Sequence, residues 1–126
     1  MNTSETRPYA AIGHTWLKVT DIGSAAQYFV SLGLRPIHQA QGIAILELRG
    51  GTHLVLRPAD EPIPAGTEAP FDIMVEDIVA ARARYDRLGL KPSALESGSI
   101  HSSFRLSGPD DYTITVTSSH TGGRPV

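Results

Sequence analysis

The chain carries one pattern twice: residues 19–36 read VTDIGSAAQYFVSLGLRP, and residues 75–92 read VEDIVAARARYDRLGLKP. Every matched pair lies 56 residues apart, as Val19 and Val75 do, and the match needs no gap. A fixed internal period of this kind marks a repeated structural unit. The sequence therefore predicts one duplicated module, with any functional site where the two copies meet.

In each copy the sequence predicts one strand, then a helix, then three further strands. Asp21 and Asp77 are suited to cap a helix at its start, and Gly33 and Gly89 are suited to end it. Alternating β-rich runs predict strands at residues 12–20, 34–41, 43–49 and 52–57, and again at 71–75, 93–96, 100–106 and 112–118. We therefore expect an α+β fold built from two βαβββ modules.

The predicted divisions follow the repeat. They are a lead-in at residues 1–10, a first module at 11–57, a Pro- and Gly-rich linker at 58–68, a second module at 69–120 and a tail at 121–126. A module of roughly half the 126-residue chain buries too little apolar surface alone. The two modules are thus expected to share one core or to pair across a dimer.

Composition excludes several classes of function. With 11 basic and 13 acidic residues, the net charge of −2 argues against a nucleic-acid partner. The absence of cysteine excludes disulfides and thiolate chemistry. No apolar run is long enough to cross a bilayer, and the first residues lack the apolar core of a secretion signal. The expectation is a soluble cytoplasmic protein without a membrane partner.

Three segments resemble the vicinal oxygen chelate superfamily, which includes glyoxalase I, bleomycin-resistance proteins, fosfomycin-resistance enzymes and extradiol dioxygenases. They are GHTWLKVTDI at 13–22, LGLRP at 32–36 and GGTHLVL at 50–56, and the resemblance spans roughly residues 10–120. It implies curled mixed sheets that form an open cup, with apolar strand faces packed on the helices and the opposite faces lining the cup. It also implies a homodimer.

The resemblance further implies a metal site, because the chemistry of this family uses a divalent ion held by the first and fourth strands of each module. Matched position by position, the four ligand positions are His14, Val55, Pro70 and Thr115. Valine and proline have no side-chain donor atom, and a neutral hydroxyl is a poor ligand beside imidazole or carboxylate. The usual metal site is therefore predicted to be lost, and no cofactor is expected.

Strand alternation predicts which side chains face the cup. If Leu17 and Val19 face the helix, the residues between them face the other way. The ligand-binding candidates on that face are His14, Trp16, Lys18, Glu47, His53, Asp72, Met74, His101, Arg105, Thr113 and Thr115. Apolar walls with a few directional polar groups suit a small polar organic molecule. Trp16 would stack on a planar group, and Glu47 and Asp72 would meet cationic groups.

Three functions stay open on this evidence. The first is a binding protein that resembles the bleomycin-resistance branch. The second is a lyase-, dioxygenase- or thiol-transferase-type enzyme with a displaced divalent ion (Zn, Mn, Fe or Ni) on His14, Glu47, Asp72 and His101, or with His53 in place of His101. The third is a metal-free enzyme with Glu47 or His101 as general acid or base. Each side chain also has a structural interpretation, such as a surface histidine or, for Glu47 and Arg49, solvated edge charges.

Overall fold

The repeated sequence folds as a repeated structure in the computed structural model, which describes residues 6–126. The predicted lead-in at residues 1–10 lies partly outside this range. The first copy contains β1 (His14–Val19), α1 (Ile22–Leu32), β2 (Arg35–Ala40), β3 (Ile43–Glu47) and β4 (His53–Pro58). The second contains β5 (Ile73–Val75), α2 (Ile78–Arg87), β6 (Glu96–Ser97), β7 (Ser102–Ser107) and β8 (Thr113–Ser118).

Both helices begin and end where the sequence signals lie. The Asp21 carboxylate accepts a hydrogen bond from the Ser24 backbone N–H at 3.1 Å. The Asp77 carboxylate accepts one from the Ala80 N–H at 3.0 Å. Gly33 ends α1 with φ of 112°, a conformation that glycine adopts without a steric penalty. These caps fix where each helix leaves its preceding strand.

The strands form two separate four-stranded mixed sheets, in the orders β1-β4-β3-β2 and β5-β8-β7-β6. In each sheet the first strand of the copy runs parallel to the fourth, and the remaining pairs are antiparallel. The predicted α+β fold of two βαβββ units is confirmed, and the two sheets do not close into a barrel.

Local turns give two predicted strands in the second copy the wrong bounds, and β5, expected at 71–75, also starts only at Ile73. Of the run at 93–96 only Glu96 lies in a strand, the two-residue β6, because Lys91 has a positive φ of 53° and Ser93 meets β7 only through isolated hydrogen bonds. The strand expected at 100–106 starts at Ser102, because the Gly98 N–H donates to the His101 carbonyl at 2.9 Å and closes a turn there. Both errors come from local turns that β propensity does not reveal.

A single hydrophobic cluster joins both sheets and both helices. Phe29 of α1 is fully buried, and its ring centroid lies 6.3 Å from that of Phe71 in the second copy. The Tyr85 hydroxyl of α2 donates to the Leu32 carbonyl at the end of α1, at 2.7 Å. Burial raises the pKa of Tyr85, so its hydroxyl stays protonated as a donor at neutral pH. The two copies therefore share one core within the chain.

Two polar contacts at matching places in the repeat also join the copies. The Thr20 N–H after β1 donates to the Asp110 carboxylate in the β7–β8 turn at 2.8 Å. Arg49 in the β3–β4 turn donates to Glu76 after β5, also at 2.8 Å. Each hairpin turn thus meets the end of the first strand of the other copy.

Across residues 6–126, no helix has the length and apolarity that spanning a membrane requires.

Replacing Phe29 with alanine is expected to lower the free energy of unfolding by about 3–5 kcal/mol, because the ring is fully enclosed and its loss leaves a cavity. Chemical denaturation of the purified variant measures this. Val79→Ala on the exposed face of α2 is the control, with an expected change within about 0.5 kcal/mol. A loss below about 1 kcal/mol for Phe29→Ala would show that α1 does not present this face to the core.

Candidate functional site

The polar side chains of the first sheet collect on the side that faces away from the core. Leu17 and Val19 of β1 and Leu54 and Leu56 of β4 point into the core. Because successive side chains of a strand alternate, the residues between them point outward. We call this outer surface the first-sheet face. Its members are His14, Trp16, Lys18, Arg35, His38, Ile45, Glu47, His53, Val55 and Arg57.

One row of the first-sheet face crosses all four strands. Arg35 lies opposite Glu47, Glu47 opposite His53, and His53 opposite His14. The Arg35 guanidinium donates to one Glu47 oxygen from Nε at 2.9 Å and from Nη2. The other Glu47 oxygen lies 2.9 Å from His53 Nε2, and the His53 and His14 ring centroids are 6.0 Å apart. Strand register thus builds a continuous polar row.

The hydrogen bonds of this row determine where protons sit. Arg35 first, and His53 second, lower the pKa of the Glu47 carboxyl, so this group is a carboxylate at neutral pH. A carboxylate only accepts hydrogen bonds, so His53 Nε2 carries the proton that faces it. In neutral His53 the other nitrogen, Nδ1, is therefore an acceptor. The contact with Glu47 thus holds the His53 ring in one orientation.

The next row is apolar and centres on Trp16. Trp16 lies opposite Val55, Val55 opposite Ile45, and Ile45 opposite His38. Val55 is buried, whereas the Trp16 side chain is 56% exposed with its ring centroid 6.2 Å from that of His14. An indole of this exposure offers a flat apolar surface with one hydrogen-bond donor.

The third row places two cations side by side. Lys18 and Arg57 are direct partners across β1 and β4, and both are exposed. Neither forms an ion pair with any residue between 6 and 126. Like charges directly opposite each other in a sheet are destabilising. Glu47, the carboxylate among the residues of this face, already pairs with Arg35 and His53, so the first-sheet face has unbalanced positive charge.

Other predicted site residues lie on the second sheet. Arg105 is the cross-strand partner of Thr115, and Ser107 is the partner of Thr113. His101 precedes β7, and its ring centroid lies 5.6 Å from that of His120. Within residues 6–126, no hydrogen bond, ion pair or ring contact joins any of these side chains to the polar row of the first sheet.

Asp72 and Met74 occupy a third location. Both line a groove at the seam between the two copies, together with Thr15 from the core-facing side of β1. Asp72 makes no ion pair within the described chain, and Met74 is 39% exposed. The predicted ligand-binding set is thus divided among the first-sheet face, the second sheet and this groove.

The donor set does not fit the divalent ion that the sequence resemblance implies. The strand register places His53, not Val55, beside His14, while Val55 lies beside Trp16. Pro70 precedes β5 and offers no side-chain donor atom. Within residues 6–126, no cluster of three or more His, Cys, Asp or Glu side chains is arranged to hold a metal ion. The displaced set of His14, Glu47, Asp72 and His101 is therefore not assembled in one chain.

Sequence reasoning missed the partners that define the polar and cationic rows. Glu47 was expected to meet a ligand cation or, like Arg49, to be a solvated edge charge; the structure pairs Glu47 with Arg35 and Arg49 with Glu76. The available signal was the β2–β3 hairpin, whose antiparallel pairing places Arg35 opposite Glu47. Predicting this pair from the sequence would have required the strand register. A bulge between Pro36 and His38 shifts that register.

The fold is shared with solved structures of glyoxalase and bleomycin-resistance proteins. Lactoylglutathione lyase from Agrobacterium tumefaciens aligns with a TM-score of 0.72 at 19% identity, over 93% of this chain and 99% of that chain. The antibiotic-binding protein TnmS3 from Streptomyces sp. CB03234 aligns with a TM-score of 0.75 at 18% identity, over 90% of this chain and 98% of that chain.

A glyoxalase/bleomycin resistance protein/dioxygenase from Alicyclobacillus acidocaldarius also aligns, with a TM-score of 0.71 at 18% identity, over 90% of this chain and 94% of that chain. No protein-family model and no curated protein sequence matches the chain. The predicted resemblance to the vicinal oxygen chelate superfamily is confirmed for the fold. At 18–19% identity the comparison shows the fold, and the activity has to be inferred from the residues of the site.

Because of the polar row, the stability of the folded protein is expected to depend on pH in the acid range. The pKa of Glu47 is lower in the folded chain than its ordinary value of 4.5, so the stability it contributes is present above that value and lost as the pH falls through the folded pKa. Glu47→Gln is therefore less stable than the wild type at neutral pH, and the difference shrinks below about pH 4.5. Chemical denaturation at a series of pH values measures it.

Glu61→Gln is the matched control, because Glu61 is exposed in the connecting segment and makes no ion pair within residues 6–126. This variant should follow the wild-type curve throughout. A constant stability difference for Glu47→Gln across the acid range would contradict the charge pairing described for Glu47.

Proposed function

We propose that this chain, which has the fold of the glyoxalase and bleomycin-resistance proteins, binds a small planar organic anion on its first-sheet face without a divalent metal. The observation that carries the proposal is the unpaired cationic pair of Lys18 and Arg57 beside the exposed Trp16. These residues supply the two features that recognise an aromatic carboxylate or phenolate, a flat apolar surface and a positive charge.

The three rows support one way of placing the ligand. The planar body would cover Trp16 and approach the Val55–Ile45 row, which removes apolar surface from water. Its anionic group would lie at Lys18 and Arg57 and relieve their mutual repulsion. At the opposite edge, His14 and His53 offer ring nitrogens for a polar substituent. The ligand class is thus anionic at one end and hydrogen-bonding at the other.

The shared fold supports a binding role without supplying a ligand. TnmS3 is described as an antibiotic-binding protein, and its structure covers 90% of this chain. The side chains around His14 also favour binding over metal-assisted chemistry, because among residues 6–126 His53 is the only further ligand-type side chain paired with it across the strands and Pro70 has no donor atom. These points agree with the charge and shape of the first-sheet face.

Binding can be followed at the proposed contact point itself, since Trp16 is the only tryptophan of the chain. We expect 2-naphthoate to shift the single indole N–H resonance of Trp16 saturably, and 2-naphthylmethylamine to leave it unchanged. Lys18→Ala and Arg57→Ala should each weaken naphthoate binding about tenfold, the effect of losing one charge-assisted contact. Isothermal titration calorimetry gives the affinities.

Arg87→Ala is the matched control, because Arg87 is an exposed, unpaired cation on α2. Its affinity for naphthoate should equal that of the wild type, and added salt should weaken binding to both. Equal binding of the amine and the carboxylate would contradict the proposal. So would binding that EDTA abolishes and Zn²⁺, Ni²⁺ or Fe²⁺ restores.

A second candidate function follows from the Glu47–His53 hydrogen bond of 2.9 Å. We propose that His53, oriented by Glu47, acts as a general base on a C–H acidic group of the bound anion. His53 Nδ1 would take the proton from carbon, the ligand would become an enolate, and the same nitrogen would return a proton. This replaces the unassisted Glu47 base that the sequence suggested.

The probe for this reaction is 4-acetylbenzoate in D₂O, whose acetyl protons exchange only through the enolate. We expect the wild-type protein to accelerate deuterium incorporation, measured by loss of the acetyl ¹H signal. His53→Gln should abolish the acceleration while the ligand still binds through Trp16, Lys18 and Arg57, and His120→Gln, on the second copy, should exchange like the wild type. Exchange at the uncatalysed rate in the wild type would eliminate this function.

A further inference from the structure

The groove at the seam between the two copies has the size of a small-molecule site. Its volume is about 540 Å³, within the range of roughly 300–1,000 Å³ typical of such sites. Its walls come from the start of β1, the β3–β4 turn and the segment that enters β5. They consist of Ile12, Thr15, Leu48, Arg49, Thr52, Pro70, Phe71, Asp72 and Met74. None of these residues belongs to the first-sheet face.

Most of the lining is apolar, and part of it is openly exposed. Ile12 is 68% exposed and Met74 is 39% exposed, while Leu48 and Phe71 pack partly against the core. An organic group seated here would remove the exposed apolar surface from water, which favours binding. The flexible Met74 side chain can adapt to the shape of such a group.

The polar groups of the groove leave one negative charge unbalanced. Arg49 is neutralised by Glu76 at 2.8 Å, and the Thr52 hydroxyl donates to the Ile12 carbonyl at 2.7 Å. Asp72, in contrast, is exposed and forms no ion pair or hydrogen bond between its side chain and any residue from 6 to 126. The groove thus combines an apolar wall with a single free carboxylate.

We infer that this groove is a second ligand site, specific for a small hydrophobic amine. The ammonium group of such a ligand pairs with Asp72, and its apolar body lies against Ile12, Phe71 and Met74. The charge preference is opposite to that of the first-sheet face, where the free groups are Lys18 and Arg57. The two sites therefore select different molecules, and the inference does not depend on the proposed function.

The chain contains its own reporter for this site, because Met74 and Met1 are its only methionines. With ¹³C-methyl-labelled methionine, we expect 4-phenylbutylamine to shift the Met74 methyl resonance saturably and to leave the Trp16 indole resonance in place. The isosteric alcohol 4-phenylbutanol should bind about tenfold more weakly, because it lacks the charge that meets Asp72. 2-Naphthoate should move Trp16 and not Met74.

Asp72→Asn should reduce the affinity for the amine to that for the alcohol, and Asp60→Asn, an exposed carboxylate in the connecting segment, should bind the amine like the wild type. Trp16→Ala should also bind it normally, so a failed first-sheet site would leave this result intact. The inference is overturned if the amine does not shift Met74, if amine and alcohol bind equally, or if Asp72→Asn binds the amine unchanged.

Discussion

The shared core between the two copies is the constraint on which the rest of the structure depends. Phe29 is completely enclosed and contacts Phe71 of the other copy, and the Tyr85 hydroxyl spans the two helices to reach the Leu32 carbonyl. Neither copy alone is large enough to bury much apolar surface. Once both helices and both inner sheet faces are committed to one core, the polar side chains that alternate with the core residues must face outward.

Because the inner faces are buried in the core, the outer faces of the two sheets are free to differ. They do differ in chemistry, although the two copies share the repeated sequence pattern. The first sheet carries histidines, a tryptophan and an excess of cations. The second carries mainly hydroxyl groups, with Arg105 near Glu96 at 3.8 Å. The duplication kept the residues that cap helices and fill the core, and it did not keep those that face outward. Function is thus more readily assigned to the outer faces than to the repeat itself.

The charge distribution of the first-sheet face follows from pairing rather than from composition. The net charge of −2 would suggest no attraction for an anion. Because Arg35 and His53 engage Glu47, the remaining charges on this face are those of Lys18 and Arg57. The reverse holds at the seam, where Glu76 engages Arg49 and Asp72 is left over. Local ion pairing can therefore give two regions of one small protein opposite preferences for the charge of a ligand.

The sequence by itself determined the repeat, the order of strands and helices, the helix boundaries and the side of β1 that faces the core. Each depends on short-range preferences: Asp21 and Asp77 cap helices, Gly33 adopts a positive φ, and alternation assigns Leu17 and Val19 to one side. Local signals were insufficient where turns interrupt strands, as at the starts of β6 and β7.

Only the tertiary structure decided which polar side chains meet. His14 and His53 are neighbours because β1 and β4 pair in parallel, and Arg35 reaches Glu47 because β2 and β3 pair with a bulge. A shift of one residue in either register would turn these side chains to the other face. The tertiary structure also places Asp72 in the groove between the copies, away from the histidines with which the sequence analysis had grouped it. Contacts between distant segments depend on packing, which no short stretch of sequence specifies.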